Sequence, residues 1–269
     1  MSGVGRADAA GWTVVVPVKS LSGAKTRLAP ELSPAERAAL ARAFALDTVD
    51  AAAAAERAAR VVVGSDEPAI ELALRETAGV DVVPEVGPRG LSAAIAHGVA
   101  VARADLPGSR AEDGGFAGVE DPVSERDARG VAVLLGDLPV MRSRDLDAAL
   151  EVAERHPLAF VADAEGTGTT LATALAGQPL VAHFGAESAA RHAAAGFVDL
   201  VAAHPGAVAP GLRRDVDTAA ELAEAVALGT GPRTASVVRT LSDLAGASAP
   251  RHPFDTQATP ARADRKAAS

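Results

Sequence analysis

The sequence predicts an α/β fold, a Rossmann-like and mostly parallel sheet sandwiched by helices, on three observations. Short apolar runs alternate with longer stretches in which apolar residues recur at helical spacing, the pattern of βαβ units. The runs Thr13–Val18 and Val131–Leu135 are apolar almost throughout, as strands covered on both faces must be. Each leads into a polar loop containing glycine, and such loops at strand ends are where open α/β sheets bind ligands.

In order along the chain, the first strand Thr13–Val18 is followed by a basic loop and a helix over Pro34–Arg57. Ser33 as N-cap, Pro34 in the first turn and Glu36 as capping-box acid mark the start of that helix. Strands at Val61–Val63 and Val80–Val83 and helices at Glu67–Thr77 and Leu91–Ala104 continue the alternation. Residues 105–129 are polar and glycine-rich without periodicity, and read as a surface insertion. After the strand Val131–Leu135 come a helix over Ser143–Arg155, a strand near Leu158–Ala162, alternating short elements, and a last helix over Thr218–Leu228. One domain is expected over 12–230, and the segment 246–269, mostly Ala, Pro, Arg and Ser with little to bury, is expected to be disordered.

Composition narrows the partners. The chain has 269 residues, 48% of them hydrophobic, enough to bury the core of one large domain. A formal charge of -9 opposes broad binding to nucleic acid, and 3% aromatic content with no Tyr leaves few platforms for stacking bases. No run approaches the roughly 20 apolar residues of a spanning helix, and Met1–Gly11 lacks the features of a signal peptide, so the expectation is a cytoplasmic protein with small-molecule partners. Without cysteine, any metal must be held by oxygen or imidazole ligands, which favours hard cations such as magnesium.

Five motifs carry the chemistry. In Pro17-Val18-Lys19-Ser20-Leu21-Ser22-Gly23-Ala24-Lys25-Thr26-Arg27-Leu28, backbone amides near Gly23 can cradle a triphosphate while Lys19, Lys25 and Arg27 neutralise it. Read alone the loop is equally a solvated basic turn, and Ala24 stands where a Walker loop needs glycine. In Leu134-Leu135-Gly136-Asp137-Leu138-Pro139 a hydrophobic strand delivers Asp137, a suitable magnesium ligand, to its carboxyl end; the alternative is an Asp that caps the next helix. Alternation in Arg213-Arg214-Asp215-Val216-Asp217-Thr218 puts Asp215 and Asp217 on one side, so that either can complete a metal site, unless Asp217 or Thr218 simply caps the following helix. Gly166–Leu171 and Phe184–Ser188 are glycine- and hydroxyl-bearing loops in which Thr170, Gly185 and Ser188 suit an oxyanion, although ordinary turn chemistry explains each loop in isolation. Gly87–Ser92, with Gly90, Leu91 and Ser92 opening a helix, suits a base or ribose edge or a plain turn. His97 and His183 are given no catalytic role.

Taken in order, P-V-K-x-L-x-x-A-K-[ST]-R-L, G-L-x-A-A, G-D-L-P, G-T-T-L, F-G-x-x-S and D-V-D-T resemble the guanylyltransferases of coenzyme F-420 biosynthesis that act on 2-phospho-L-lactate or phosphoenolpyruvate. The resemblance runs from Trp12 to Gly229 and leaves out 105–129 and the tail. It implies a nucleotidyltransferase-A-like fold, GTP and Mg2+ as requirements, and a guanosine-diphospho acid plus pyrophosphate as products. It further implies that Thr170, Gly185 and Ser188 contact the acid and that Asp137 sits at the metal, while Ser92 departs from the pattern, which has asparagine there. A homodimer and handover to the next enzyme of the pathway are the protein partners it suggests. The Ala- and Arg-rich composition suggests a high-GC bacterium and so favours phosphoenolpyruvate over 2-phospho-L-lactate.

Three other readings compete. A nucleotidyltransferase acting on a molybdopterin or sugar phosphate shares the fold and the metal logic. A Rossmann dehydrogenase fits the fold class, but no G-x-G-x-x-G follows the first strand. A nucleotide-binding regulatory protein would lack turnover.

Overall fold

The computed structural model describes residues 11–248 apart from 19, 22, 86–89 and 105–127. Lys19, the Gly87-Pro88-Arg89 turn, nearly all of the expected insertion and the tail from 249 therefore lie outside the described residues.

Among the described residues the strands are β1 (Gly11–Pro17), β2 (Ala58–Gly64), β3 (Val80–Val83), β4 (Ala128–Leu134), β5 (Leu158–Ala162), β6 (Thr169–Leu175) and β7 (Val198–Asp199). They form one sheet in the order β3-β2-β1-β4-β6-β5-β7. All pairings are parallel except those of β6, which runs against both β4 and β5. The mostly parallel sheet expected from sequence is therefore present, with one reversed strand. β4 begins at Ala128, which returns the last two residues of the expected 105–129 insertion to the sheet.

Helices cover both faces because successive strand residues point to opposite sides. Val14 and Val16 of β1 belong to one core cluster with residues of α1 (Pro34–Ala54), α2 (Pro68–Leu74), α4 (Ser143–Ala153) and α6 (Leu200–Ala203). Val15 faces α3 (Leu91–Ala104) in a second cluster that also takes in α5 (Ser188–Ala194). Gly98 permits the close approach of α3, since a Cβ there would collide with the Val15 side chain. α1 starts where the sequence says it should: Ser33 Oγ accepts from Glu36 N, Glu36 Oε2 accepts from Ser33 N at 2.7 Å, and Pro34 fills the first turn. α7 (Ala219–Leu228) ends at Gly229 as expected.

The domain boundary at 230 needs correcting. A further helix, α8 (Pro232–Ser248), lies against α1 and reaches three residues into the segment expected to be disordered from 246. Its Val237, Val238 and Leu241 close a third cluster around Leu28, Leu40, Phe44, Val140 and Val216. Asp47 of α1, 5% exposed, caps it by accepting from Arg233 N at 3.1 Å and Thr234 N at 2.8 Å. Gly231 N also donates to Pro139 O at 2.8 Å, so the start of α8 is tied to the loop that carries Asp137. The signal was present in Pro232 at a helix start and in apolar residues at helical spacing, but the segment's low overall hydrophobicity hid it.

Two truncations separate the parts of this region. Ending the chain after Leu244 keeps the contacts of Val237, Val238 and Leu241 and is expected to leave the melting temperature within about 2 °C, as for a surface change. Ending it after Gly229 uncovers those partly buried side chains and strands the Asp47 carboxylate, a loss on the order of 3 kcal/mol, or roughly 6–12 °C. Equal melting temperatures for the two shortened proteins would show that α8 is not part of the folded body.

Candidate active site

A cleft of about 600 Å³ opens at the carboxyl ends of β1 and β4. The chain steps outward from β1 to β2 and β3 and then returns to β4 on the other side of β1, so the cleft lies at the point where the strand order reverses.

The loop after β1 is held at both ends. Val18 N donates to Gly64 O at 2.8 Å and Leu21 N to Glu67 Oε1 at 2.8 Å. Lys25 then adopts a left-handed conformation, φ 53°, which costs a residue with a Cβ about 1–2 kcal/mol. That strain is offset where its side chain ends: Nζ lies 2.7 Å from Asp137 Oδ2 and 2.8 Å from Asp217 Oδ1, with the side chain 8% exposed and Phe44 beneath the ammonium at 5.8 Å.

Asp137 does not cap the next helix, which begins at Ser143. Its loop is fixed by neighbours, since Leu138 N donates to Thr48 Oγ1 at 3.1 Å and a Cβ on Gly136 would press on Pro17 O at 3.3 Å. Asp137 Oδ1 is buried without a hydrogen-bond partner. On the opposite side Val216 is fully buried, which turns Asp215 and Asp217 toward the cleft as alternation requires. Capping of α7 falls to Thr218, whose hydroxyl accepts from Glu221 N at 3.3 Å, and Asp217 is left to meet Lys25. Arg213 anchors the same segment by donating to Ala162 O at 3.0 Å and Asp163 O at 2.6 Å.

The electrostatics follow from this crowding. Burial works against the Lys25 charge, but Asp137 and Asp217 outweigh it and hold the ammonium well above its ordinary pKa. Asp215 is pushed up to about 7, first by burial and then by repulsion from Asp137 and Asp217. Among the described residues no three carboxylates or imidazoles form a ready-made metal cage. Magnesium does not ask for one, since it commonly takes one or two carboxylates and completes its shell with water and substrate phosphates. The unpartnered, buried Asp137 Oδ1 fits that donor set.

The far wall is built by the reversed strand. Because β6 runs against its neighbours, its first residues reach the same rim as the last residues of β4 and β5. Thr170 is fully buried with no partner for Oγ1, and it lines the cleft together with Gly185, at φ 112°, and Ser188, which is 1% exposed. Asp163 shapes the turn before β6 by accepting from Thr167 N at 2.9 Å and Gly168 N at 2.7 Å. Ala189 N donates to Thr167 O at 3.1 Å, joining this turn to α5.

Residues 12–108 match the family described as guanylyl transferase CofC like. Over 84% of its length the chain is 46% identical to the phosphoenolpyruvate guanylyltransferase of Sanguibacter keddieii, covering 84% of that protein. Over 86% of its length it is 44% identical to the phosphoenolpyruvate guanylyltransferase of Streptomyces coelicolor, covering 97%. The chain belongs to this guanylyltransferase family. A solved Desulfovibrio desulfuricans G20 protein assigned to the nucleotide-diphospho-sugar transferases shares the fold at a TM-score of 0.51 and 15% identity, over 87% of this chain and 96% of its own. The nucleotidyltransferase-A-like architecture inferred from the motifs is thus present, and the dehydrogenase reading falls.

In this guanylyltransferase the cleft gathers Pro17, Val18, Gly23, Lys25, Arg27, Leu91, Asp137, Thr170, Gly185, Ser188, Asp215 and Asp217. Gly90 and Ser92 do not line it; both are exposed, because successive residues at a helix start point in directions about 100° apart and Leu91 takes the inward one. The ammonium of Lys25 is engaged by two carboxylates, whereas Arg27 has its side chain 72% exposed and lies 3.7 Å from Asp217. Sequence reasoning missed Asp163 and His192. The four-residue spacing of Ser188 and His192 on one helix was readable, but the loops that meet the ring were not.

His192 is fully buried, and burial lowers its pKa to about 4; the Ser188 carbonyl opposes this, while His183 and Arg191 add to it. Unfolded, the ring takes its proton near pH 6.5. Between these values the unfolded chain binds more protons than the folded one, so stability is fully present above about 6.5 and is lost as pH falls toward 4. At about 1.4 kcal/mol per pKa unit the full loss, reached near pH 4, amounts to roughly 3–4 kcal/mol. The melting temperature of the wild type should fall more steeply between pH 7 and 5 than that of His192→Gln, and parallel curves would refute the assignment.

Proposed function

We propose that the protein transfers GMP from GTP to phosphoenolpyruvate, giving enolpyruvyl-diphospho-guanosine and pyrophosphate. The observation that carries the reading is the meeting of two walls in one cleft: carboxylates gathered around Lys25 on one side, and Thr170, Gly185 and Ser188 on the other. The names borne by relatives at 46% and 44% identity support the acid's identity.

An oxygen of the acid's phosphate attacks the α-phosphorus of GTP in line, the bond to the β-phosphate oxygen breaks, and pyrophosphate leaves. The nucleophile is already ionised near neutral pH, so no general base and no covalent enzyme intermediate are required, and catalysis is positioning and charge stabilisation. Asp137 with Asp217 or Asp215 would hold Mg2+, which supplies neutralisation of the phosphate charges when bound. Lys25 keeps the acids together, Arg27 faces the triphosphate, and Pro17, Val18 and Gly23 with Leu91 border the nucleotide. Thr170 offers its unpartnered hydroxyl to the acid beside Gly185 and Ser188. No described helix is long and apolar enough to cross a membrane, in keeping with a cytoplasmic site of action.

The test is to incubate the protein with GTP, MgCl2 and either phosphoenolpyruvate or 2-phospho-L-lactate, and to follow pyrophosphate release and the mass of the adduct. Phosphoenolpyruvate should give both signals. Turnover with 2-phospho-L-lactate alone would reassign the acid, and no pyrophosphate with either would end the enzymatic reading.

A further inference from the structure

One buried side chain touches all three segments of the acid-binding wall. His192 Nε2 accepts from His183 N at 3.0 Å, while Nδ1 lies 2.9 Å from Ser188 O and 3.1 Å from Thr169 Oγ1. A backbone N–H can only donate, so Nε2 is the bare nitrogen and the neutral ring carries its proton on Nδ1, donating it to the Ser188 carbonyl. The ring has no room to turn over: Phe160 stacks on it at 5.7 Å between centroids, and Phe184 and Phe197 meet it edge-on at 5.4 and 5.0 Å.

The partners are placed to matter. Thr169 is the chain neighbour of Thr170, His183 stands two residues before Gly185, and Ser188 is itself part of the wall. These segments come from a strand start, an irregular loop and a short helix, and the loop has little regular structure of its own to hold its shape. Arg191 adds a second tie from the same helix by donating to Phe184 O at 3.2 Å.

We propose that His192, as the neutral Nδ1–H tautomer, is a positioning residue that holds the Thr169–Thr170, His183–Gly185 and Ser188 segments in the one arrangement that binds the phospho-acid. The ring acts through these partners and does not itself touch substrate. The inference rests on the reading of this wall as the acid site.

The test uses the full-length protein with GTP, phosphoenolpyruvate and MgCl2, comparing wild type with His192→Phe, His192→Gln and His192→Asn. Phe keeps the packing and removes every hydrogen bond, Gln replaces the acceptor at Nε2, and Asn replaces the donor at Nδ1. In each variant that folds, the KM for phosphoenolpyruvate should rise about tenfold or more, with Phe the most affected, while the KM for GTP stays within about twofold. A purely structural role would instead lower the melting temperature and leave the ratio of the two KM values unchanged, which overturns the proposal. If no variant folds, NMR of the wild-type imidazole decides: phosphoenolpyruvate should shift the His192 ring signals where GTP does not, and an unmoved ring overturns the proposal. Gly185→Val separates the two levels of argument. If it raises the acid's KM while the His192 variants do not, only the positioning role fails; if it raises the KM for GTP instead, the acid site itself is misplaced and the proposal falls with it.

Discussion

Asp137→Asn is expected to lower kcat roughly 10³-fold or more while leaving the fold standing. The side chain keeps its shape, and the amide oxygen can still accept from Lys25, whose other partner Asp217 remains at 2.8 Å. What disappears is the negative charge at the one carboxylate, among the described residues, with a buried oxygen that has no hydrogen-bond partner. Because Lys25 retains a partner, the stability cost should stay near 1 kcal/mol rather than the 3–5 kcal/mol of stranding a buried charge. Pyrophosphate release at saturating GTP and phosphoenolpyruvate, read beside circular dichroism and melting temperature, checks both halves. Activity within tenfold of wild type in a folded variant would remove Asp137 from the metal site.

Gly185→Val is expected to raise the KM for phosphoenolpyruvate about 100-fold or more and to change that for GTP only severalfold. Two effects act in the same direction. At φ 112° a branched residue is strained by about 1–3 kcal/mol, so the loop will shift to relieve it, and a Cβ there sits 3.3 Å from Arg191 Nη2, the side chain that ties the loop to α5. Gly185 itself lines the cleft, so a shift of its loop also reshapes that wall. Ser188→Ala is the control: it removes one neutral hydrogen bond at most, on the order of 0.5–1.5 kcal/mol, or up to about tenfold in the acid's KM. Should Gly185→Val weaken GTP and spare the acid, the two substrates would have to exchange places.

The site divides by how far its signals reach along the chain. Asp137 was readable because a strand, a glycine and a proline within six consecutive residues force the acid out at a strand end. Asp215 and Asp217 were readable as a pair because alternation around Val216 is a local property, and Thr218 with Glu221 marks the cap that leaves Asp217 free of that duty. The ion pairing of Lys25 was not readable, since the carboxylates that engage its ammonium lie 112 and 192 residues away. That Leu91 lines the cleft and Gly90 and Ser92 do not was not readable, because a motif names neighbours in sequence, while a helix start sends them in different directions.

By itself the sequence determined the fold class, the start of α1, the end of α7 and the family, because strand and helix periodicity, caps and short motifs act between residues at most a few positions apart. Only the tertiary structure decided three other matters. It reversed β6, and that reversal brings Thr170 to the rim that the carboxyl ends of β4 and β5 already occupy. It docked α8 through Asp47 and Gly231, a helix whose weak apolar face means something only once α1 and the Asp137 loop are beside it. It also enclosed His192 among three loop and helix segments, where its tautomer is dictated by a backbone N–H from nine residues away. Each of these depends on partners brought together by chain reversal and packing, and no local pattern encodes which distant group will arrive.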